Sequence, residues 1–493
     1  EMCIRDRFHS EQRHYVQRWI KMTKSLQEIV HALVPSSQEI PDAAVCGLTL
    51  DSNQVKKGDM FIAIPGTQLD GHDYIHQAID SGASAIISNG RDVGNLPVPQ
   101  IKVANPRRAA SIVAAEYYGH PTKHLTVIGI TGTNGKTTSA SILASILTQA
   151  GYKTAQLGTL GLIADGFDQQ ATLTTPDAIS LQKTTSDLRN ADFSHIVMEV
   201  SSHALDQYRV ADVDFNVAVF TNLTPEHLDY HATLESYYQA KLRLFTMLPL
   251  ESTAVINESD PFGPRMADKS NAPVISFSKG NGNSIHFTDL SNSISGIKGR
   301  VSAGQQTYSI KSDLVGAFNG ENILAAVSVA HALGVEKSNI ETGVQNCPPI
   351  PGRMESYFLA SGATVIVDYA HTPDAYEKVL GTLKEMSGNN GRLYVVFGAG
   401  GDRDKTKRPE MARIAELFAH HCFITPDNPR TEDPNQISKD VSAGFKGIAH
   451  STFMDREKGL RSALDQADVH DIVAVLGKGR DEYQEIMGKR IFY

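Results

Sequence analysis

The chain has 493 residues, 41% of them hydrophobic and 20% charged, with a formal net charge of −9. That length exceeds what one hydrophobic core organises and implies two to four domains of a soluble globular protein. The acidic balance excludes a broad nucleic-acid-binding surface, although it leaves room for a local basic pocket. No apolar run approaches the roughly 18 residues a membrane helix needs, which argues against membrane insertion. Cys3, Cys46, Cys347 and Cys422 have neither metal nor disulfide spacing, as expected in a reducing cytoplasm.

Residues 1–21 lack the apolar segment and cleavage site of a secretory signal, show no strong pattern, and stay unassigned, with Met22 a candidate start. From 25 to about 119 the pattern is α/β. A turn at Lys57-Gly58-Asp59 leads into the strand MFIAIPG, then a helix over 74–81 and a second strand, AIIS. LTLDS (48–52) and PGTQLDG (65–71) are polar loop ends beside strands, where small ligands are often held, though ordinary loop chemistry also accounts for them.

The central segment turns on LTVIGITGTNGKTTSA (125–140), which reads as a strand, a glycine loop and a helix start. Amides of Gly132, Thr133, Asn134, Gly135 and Lys136, backed by the positive end of the helix, are expected to cradle phosphate. Lys136 supplies a point charge and Thr137 a hydroxyl for Mg²⁺, with Thr138 following in the first turn. The usual pattern needs Gly where Ile130 stands, so the loop is a variant, and an ordinary glycine-rich turn is the competing reading. Next, HIVMEVSSHAL reads as a buried strand that ends at Glu199, a carboxylate placed to hold Mg²⁺ or its waters. TPEHLDYH then concentrates Glu226, His227, Asp229 and His231.

Leu234, Tyr238, Lys241, Phe245 and Leu248 recur at helical steps and set Lys241 inside an apolar stripe. Either its ammonium snorkels to water, or burial beside a metal lowers its pKa until it takes up CO₂ as a carbamate. The sequence leaves both readings open. The prolines of NCPPIPG read as a linker to a third α/β module with strands ATVIVDYAH, RLYVVFG, HCFITP and IVAVLG. Alternating strands and helices imply a parallel sheet with ligands at the strands' carboxyl ends. There stand Asp368 and His371, GGDRD (400–404), DNPR (427–430) and GKGRD (477–481).

Taken together, GTNGKTT, EVSSHALDQYR, TNLTPEHLDYH, YYQAKLRLF, FNGENILAA, PGRME, DYAHTPD, GGDRDKTKR, DNPRTEDP and GKGRDEYQ resemble the Mur ligase family, and within it the tripeptide synthetases of peptidoglycan biosynthesis. The resemblance implies three α/β domains: 22–121 for the uridine end of the substrate, 122–349 as a P-loop-type ATPase with a mainly parallel sheet, and 350–493 as a Rossmann-like amino-acid domain. It implies a monomeric enzyme using ATP, two Mg²⁺ ions and a carbamylated Lys241. Its substrates would be UDP-N-acetylmuramoyl-L-alanyl-D-glutamate and, as the third amino acid, meso-diaminopimelate, with L-lysine the alternative.

Leu50, Ser52, Thr67, Gln68 and Leu69 would hold the uridine diphosphate, and Thr174, Thr175, Ser201, Gln207 and Arg209 the muramoyl dipeptide. Asn322, Arg353 and Asp368 match nucleotide contacts; Glu199 and His227 would serve the metals. Arg403, Asp427, Asn428, Pro429, Arg430, Gly477 and Asp481 would surround the amino acid. Arg430 offers a cation to the second carboxylate of diaminopimelate, unless it merely ties its loop to Glu432 or Asp433. Two positions depart from the family pattern: Leu173 where relatives carry Asn, and Asp481 where many carry Glu. A folylpolyglutamate synthase and a non-catalytic Mur-like binding protein are the rival readings.

Overall fold

Apolar runs bounded by glycine become short parallel strands, and their carboxyl ends deliver the polar motifs to one side of each sheet. This is seen in a computed structural model, which describes residues 22–493 apart from 36–38, 67–68, 170–172, 281–283, 294, 389, 448–449 and 493. The chain divides into two units, one up to Tyr117 and one from Tyr118 onward.

In the first unit, Gly47–Thr49, Asp59–Ile62, Ala85–Ser88 and Gln100–Lys102 pair in parallel in that order. Both expected strands are present and buried along their length. Ile75–Asp80 forms within the expected helical stretch. The helix Pro106–Tyr118 was not foreseen. Its buried positions include Ala109, Ala110, Ala114 and Ala115, small side chains that give a helix little hydrophobic contrast. Ser52 is buried in a short 3₁₀ turn capped by Asp51, Leu50 is half-buried, and Leu69 is 67% exposed. Thr67 and Gln68 lie outside the described residues.

The second unit holds two large sheets. In the first, Val274–Phe277, Thr253–Asn257, Val217–Phe220, Thr126–Thr131, His195–Glu199 and Thr154–Gly158 run parallel in that spatial order. The hairpin Gly161–Ala164/Phe167–Gln169 extends the last edge. Thr126–Thr131 sits between His195–Glu199 and Val217–Phe220. The phosphate loop, Glu199 and Thr221-Asn222 therefore emerge side by side. Helices Lys136–Gln149 and Phe318–Ala332 cover one face through Ile142, Ile146, Ile323 and Val327. Ala178–Asn190 and Leu234–Thr246 cover the other through Leu181, Leu188, Leu242 and Phe245.

An antiparallel sheet of His286–Ser293, Gly296–Ala303 and Gln306–Ser312 was also unforeseen, although Tyr308, Ile310 and Ser312 alternate inward with period two. In the C-terminal sheet the order is Glu355–Phe358, Thr364–Asp368, Ile472–Leu476, Leu393–Phe397, His421–Ile424 and His450–Thr452. The first strand is antiparallel; the rest are parallel. The four expected strands occupy its middle. Among the described residues, no helix is long and apolar enough to cross a membrane.

Candidate active site

Gly132 (φ +152°) and Gly135 (φ +86°) carry the turn between strand and helix. A Cβ on Gly132 would overlap Thr221 Oγ1, and one on Gly135 would overlap Asn322 Oδ1, so close approach requires both glycines. The expectation that the whole loop offers its amides needs correction. Thr133 N donates to Asn222 O at 2.9 Å and Asn134 N to Asn222 Oδ1 at 2.9 Å, because the neighbouring strand ends in an asparagine that ties the loop down. What stays open is the start of helix Lys136–Gln149, which no side chain among the described residues caps. Its first-turn N–H groups lack intrahelical acceptors and sit at the positive end of the helix. Lys136 Nζ donates to Gly132 O (2.8 Å) and Thr133 O (2.9 Å), charging the same spot.

Glu199 is 1% exposed and organises the floor. It accepts from Thr137 Oγ1 (3.0 Å), Thr159 N (2.8 Å) and Thr159 Oγ1 (3.1 Å). Thr175 Oγ1 donates to the Glu199 carbonyl (2.8 Å) and accepts from Ser201 N (3.0 Å); Thr174 Oγ1 lies 3.3 Å from Thr159 Oγ1. Arg209 donates to Thr175 O and to Gln207 Oε1, so these dipeptide-site candidates form one network with Glu199. Thr159 was missed because a lone threonine after a strand carries no motif. Leu173 is 47% exposed beside them.

The Thr137 hydroxyl and Glu199 carboxylate are hard oxygen donors that fit Mg²⁺. Among the described residues no three His, Cys, Asp or Glu side chains cluster for a metal. Two protein oxygens suit an ion completed by water and phosphate. Thr138 is buried behind them in the same turn.

Lys241 settles one open question: its ammonium does not snorkel. The side chain is 1% exposed, Nζ donates to Gly132 O at 2.9 Å, and it lies 4.4 Å from the centre of the Tyr237 ring. Burial, then repulsion from Lys136, push its pKa well below the lysine range. His227, in left-handed backbone (φ +57°), packs edge-on against His203. Burial carries its pKa down to about 4, so the imidazole is neutral near pH 7 and able to ligate.

The C-terminal sheet contributes from its strand ends. Arg353 Nη2 donates to Thr137 Oγ1 at 3.1 Å, and its guanidinium lies over the Tyr369 ring at 4.9 Å. Arg353 Nε is buried with no hydrogen-bond partner among the described residues, as expected of a group awaiting an anion. Asp368 accepts from Met354 N (2.8 Å) and Ala370 N (2.7 Å); burial raises its pKa, with Arg353 opposing. Asn322 donates to Asn319 Oδ1 and accepts from Ser139, placing it beside Gly135. Two contacts the sequence did not indicate join the modules: Asn134 Nδ2 to Asp374 Oδ2 (3.1 Å) and Glu226 Oε1 to His371 Nε2 (3.1 Å).

The amino-acid candidates gather farther along the same sheet. Asp427 and Lys478 stand 3.8 Å apart, and Lys478 Nζ donates to Asn428 Oδ1 at 3.0 Å. Gly477 (φ +102°) has no room for a Cβ beside Asp427 Oδ2. Asp481 accepts from the Tyr369 hydroxyl at 3.1 Å. Arg403 is exposed, its Nη1 donating to Asp402 O. Arg430 corrects the alternative offered for it. Its Nη1 donates to Gly401 O (2.7 Å) and its Nε pairs with Glu485 (3.2 Å), not with Glu432 or Asp433. Asp433 caps the helix Pro434–Ser442, and Glu432 is taken by Arg408 at 2.9 Å.

Arg408, fully buried, binds Glu432, Asp440 and the Gly400 carbonyl, while Glu432 accepts from Asp402 N; Gly401 N reaches Asn428 O and packs its Cα under Pro429. The two loops are thus clamped together. Arg408→Ala leaves Glu432 only Lys405 (3.1 Å) and the Asp402 amide, and is expected to destabilise this module by roughly 1–3 kcal/mol, read from the denaturant midpoint with the slope unchanged.

Three family models cover most of the chain: "Mur ligase family, catalytic domain" at residues 44–118, "Mur ligase middle domain" at 130–330 and "Mur ligase, glutamate ligase domain" at 352–479. A UDP-N-acetylmuramoyl-L-alanyl-D-glutamate–2,6-diaminopimelate ligase from Syntrophomonas wolfei is 38% identical, covering 93% of this chain and 95% of its own. The chain belongs to the Mur ligase family. A ligase of the same name from Chromobacterium violaceum is 41% identical over 90% of this chain and 91% of its own. A solved structure under that name matches with a TM-score of 0.67 at 33% identity, covering 96% and 97% of the two chains. The Mur ligase relationship accounts for the three-part α/β architecture.

Proposed function

We propose that this Mur ligase joins meso-2,6-diaminopimelate to UDP-N-acetylmuramoyl-L-alanyl-D-glutamate at the expense of ATP, in the cytoplasm, as a step of peptidoglycan synthesis. The observation that carries the reading is similarity along nearly the whole chain, 93% of it in one case, to ligases of that name. In this assignment residues 22–121 take the uridine end, 122–349 the nucleotide, and 350–493 the amino acid.

The chemistry follows from the arrangement. A carboxylate is a poor acyl donor, so the γ-phosphoryl group moves onto it, giving an acyl phosphate and ADP. The amine of diaminopimelate then attacks, and the tetrahedral intermediate collapses with loss of phosphate. Lys136, Arg353 and the open helix start offset the negative charge that gathers as carboxylate and triphosphate meet. Mg²⁺, held by Thr137 and Glu199 with His227 and a carbamylated Lys241 at a second position, would supply further charge neutralisation. Closure of the two modules through Asn134–Asp374 and Glu226–His371 keeps water from the acyl phosphate.

Diaminopimelate differs from lysine by a distal carboxylate, and Arg430 is the cation set to meet it. Arg430→Ala is expected to cut kcat/KM for meso-diaminopimelate on the order of 10³-fold while changing that for L-lysine little. Steady-state assays with both amino acids check this. Equal or better use of L-lysine by the wild-type enzyme ends the diaminopimelate reading.

A further inference from the structure

Arg430 and Glu485 stand together for a reason in the backbone. The last hairpin, Tyr483–Ile486 and Lys489–Phe492, lays its first strand along the DNPR loop. Arg430 N donates to Glu485 O (2.9 Å), Met487 N to Arg430 O (2.7 Å), and Glu485 N to Asn428 Oδ1 (2.9 Å). Arg430 itself sits in left-handed backbone, φ +51°. A Cβ at Gly400 would lie 3.0 Å from Arg430 Nη1, so the glycine leaves the guanidinium its place. Both side chains are fixed by their strands rather than by each other alone.

Their polar atoms are only partly used. Nη1 of Arg430 serves Gly401 O and Nε faces Glu485 Oε2, while among the described residues no protein acceptor engages Nη2. Likewise no donor among them engages Oε1 of Glu485. The two side chains are 21% and 39% exposed, so this open donor and open acceptor remain within reach of a ligand. Of the other carboxylates of the cluster, two face a buried ammonium and two are engaged through both oxygens. Asp427 and Asp481 flank the buried Lys478 ammonium, each at 3.8 Å, and Asp481 also takes the Tyr369 hydroxyl. Asp402 binds Thr431 through both oxygens, and Glu432 binds Arg408.

We infer that Glu485 is a specificity-determining residue: with Arg430 it forms a two-charge receptor for the distal α-amino-acid head of the incoming substrate, Arg430 taking the carboxylate and Glu485 the ammonium. The inference rests on the diaminopimelate reading and adds a residue to it. An α-amino-acid head carries its carboxylate and its ammonium on one carbon, so it can meet a neighbouring Arg donor and Glu acceptor at once. L-Lysine presents only the ammonium and leaves Arg430 unmet. A simple dicarboxylate presents only the anion and is repelled by Glu485.

The test uses the full-length enzyme with UDP-N-acetylmuramoyl-L-alanyl-D-glutamate and ATP, and compares wild type with Glu485→Gln on three amines. These are meso-diaminopimelate, 2-aminopimelate (which keeps the distal carboxylate but has no distal ammonium) and L-lysine. Loss of a charged hydrogen-bond partner is expected to raise KM for meso-diaminopimelate roughly 10- to 100-fold with kcat nearly unchanged. On 2-aminopimelate, which offers no ammonium and whose carboxylate Glu485 repels, Glu485→Gln is expected to do at least as well as wild type, up to about tenfold better. If Glu485 only orients Arg430, the variant loses equally on both, and that result overturns the inference. Undiminished use of meso-diaminopimelate by Glu485→Gln overturns it too. A wild-type enzyme that prefers L-lysine overturns the diaminopimelate reading and this receptor with it, a distinct outcome visible before any variant is made.

Discussion

Lys136→Ala is expected to remove ligation almost entirely, by roughly 10³-fold or more in kcat, while the protein stays folded. In the proposed reaction its Nζ is the charge that the helix start presents to the transferring phosphate. Nζ is held in place by two loop carbonyls, Gly132 O at 2.8 Å and Thr133 O at 2.9 Å, and among the described residues by no carboxylate. Burial already lowers its pKa, with Glu199 and Glu226 pulling the other way, so the site destabilises this ammonium until an anion arrives. The substitution removes a half-buried charge that its surroundings disfavour along with two hydrogen bonds, so circular dichroism and the melting temperature should change little. Phosphate release in the presence of all three substrates is the measurement. Turnover like the wild type's would refute the phosphate-loop assignment.

How much of this could be read without coordinates depended on whether the signal was local. The phosphate loop, Glu199 at its strand end and the stripe holding Lys241 are periodic or glycine-marked, and each lies where the pattern put it. What the sequence could not supply were pairings between distant segments. Asn222 withdraws two loop amides, Thr159 braces Glu199, and Asp374 reaches Asn134, each across tens or hundreds of residues. Arg430 shows the same limit in sharper form. Its nearest acidic neighbours in sequence, Glu432 and Asp433, looked the natural partners, yet the left-handed turn aims it toward Glu485. The alanine-rich helix Pro106–Tyr118 escaped for another reason, since small side chains pack well but mark a face faintly. The depth of Lys241 was undecidable from its stripe alone, because a long stem permits either burial or snorkelling.

That depth gives the second large effect. A lysine 1% exposed, with a carbonyl at 2.9 Å, a ring face and another lysine beside it and Glu226 alone pulling the other way, is poorly placed to stay charged. Its neutral amine can attack CO₂, forming an N–C bond and releasing a proton, and the resulting carbamate brings two oxygens sharing one negative charge to a position beside the Lys136 cation. Lys241→Ala is therefore expected to lose activity by roughly 10²- to 10³-fold, and small carboxylates such as formate or acetate should restore part of it by entering the space with oxygens of the same charge. Lys241→Arg should be equally inactive and gain nothing, since the guanidinium neither carbamylates nor gives way to an anion. Stability discriminates as well: deleting a buried, unpaired amine relieves a desolvation penalty, so Lys241→Ala should melt no lower than the loss of side-chain packing alone requires. The direct observation is a carbamate carbon in ¹³C NMR after incubation with labelled bicarbonate, present in wild type and absent in both variants. An active wild-type enzyme with no such signal, or an Ala variant that carboxylates never rescue, would return Lys241 to a purely structural role.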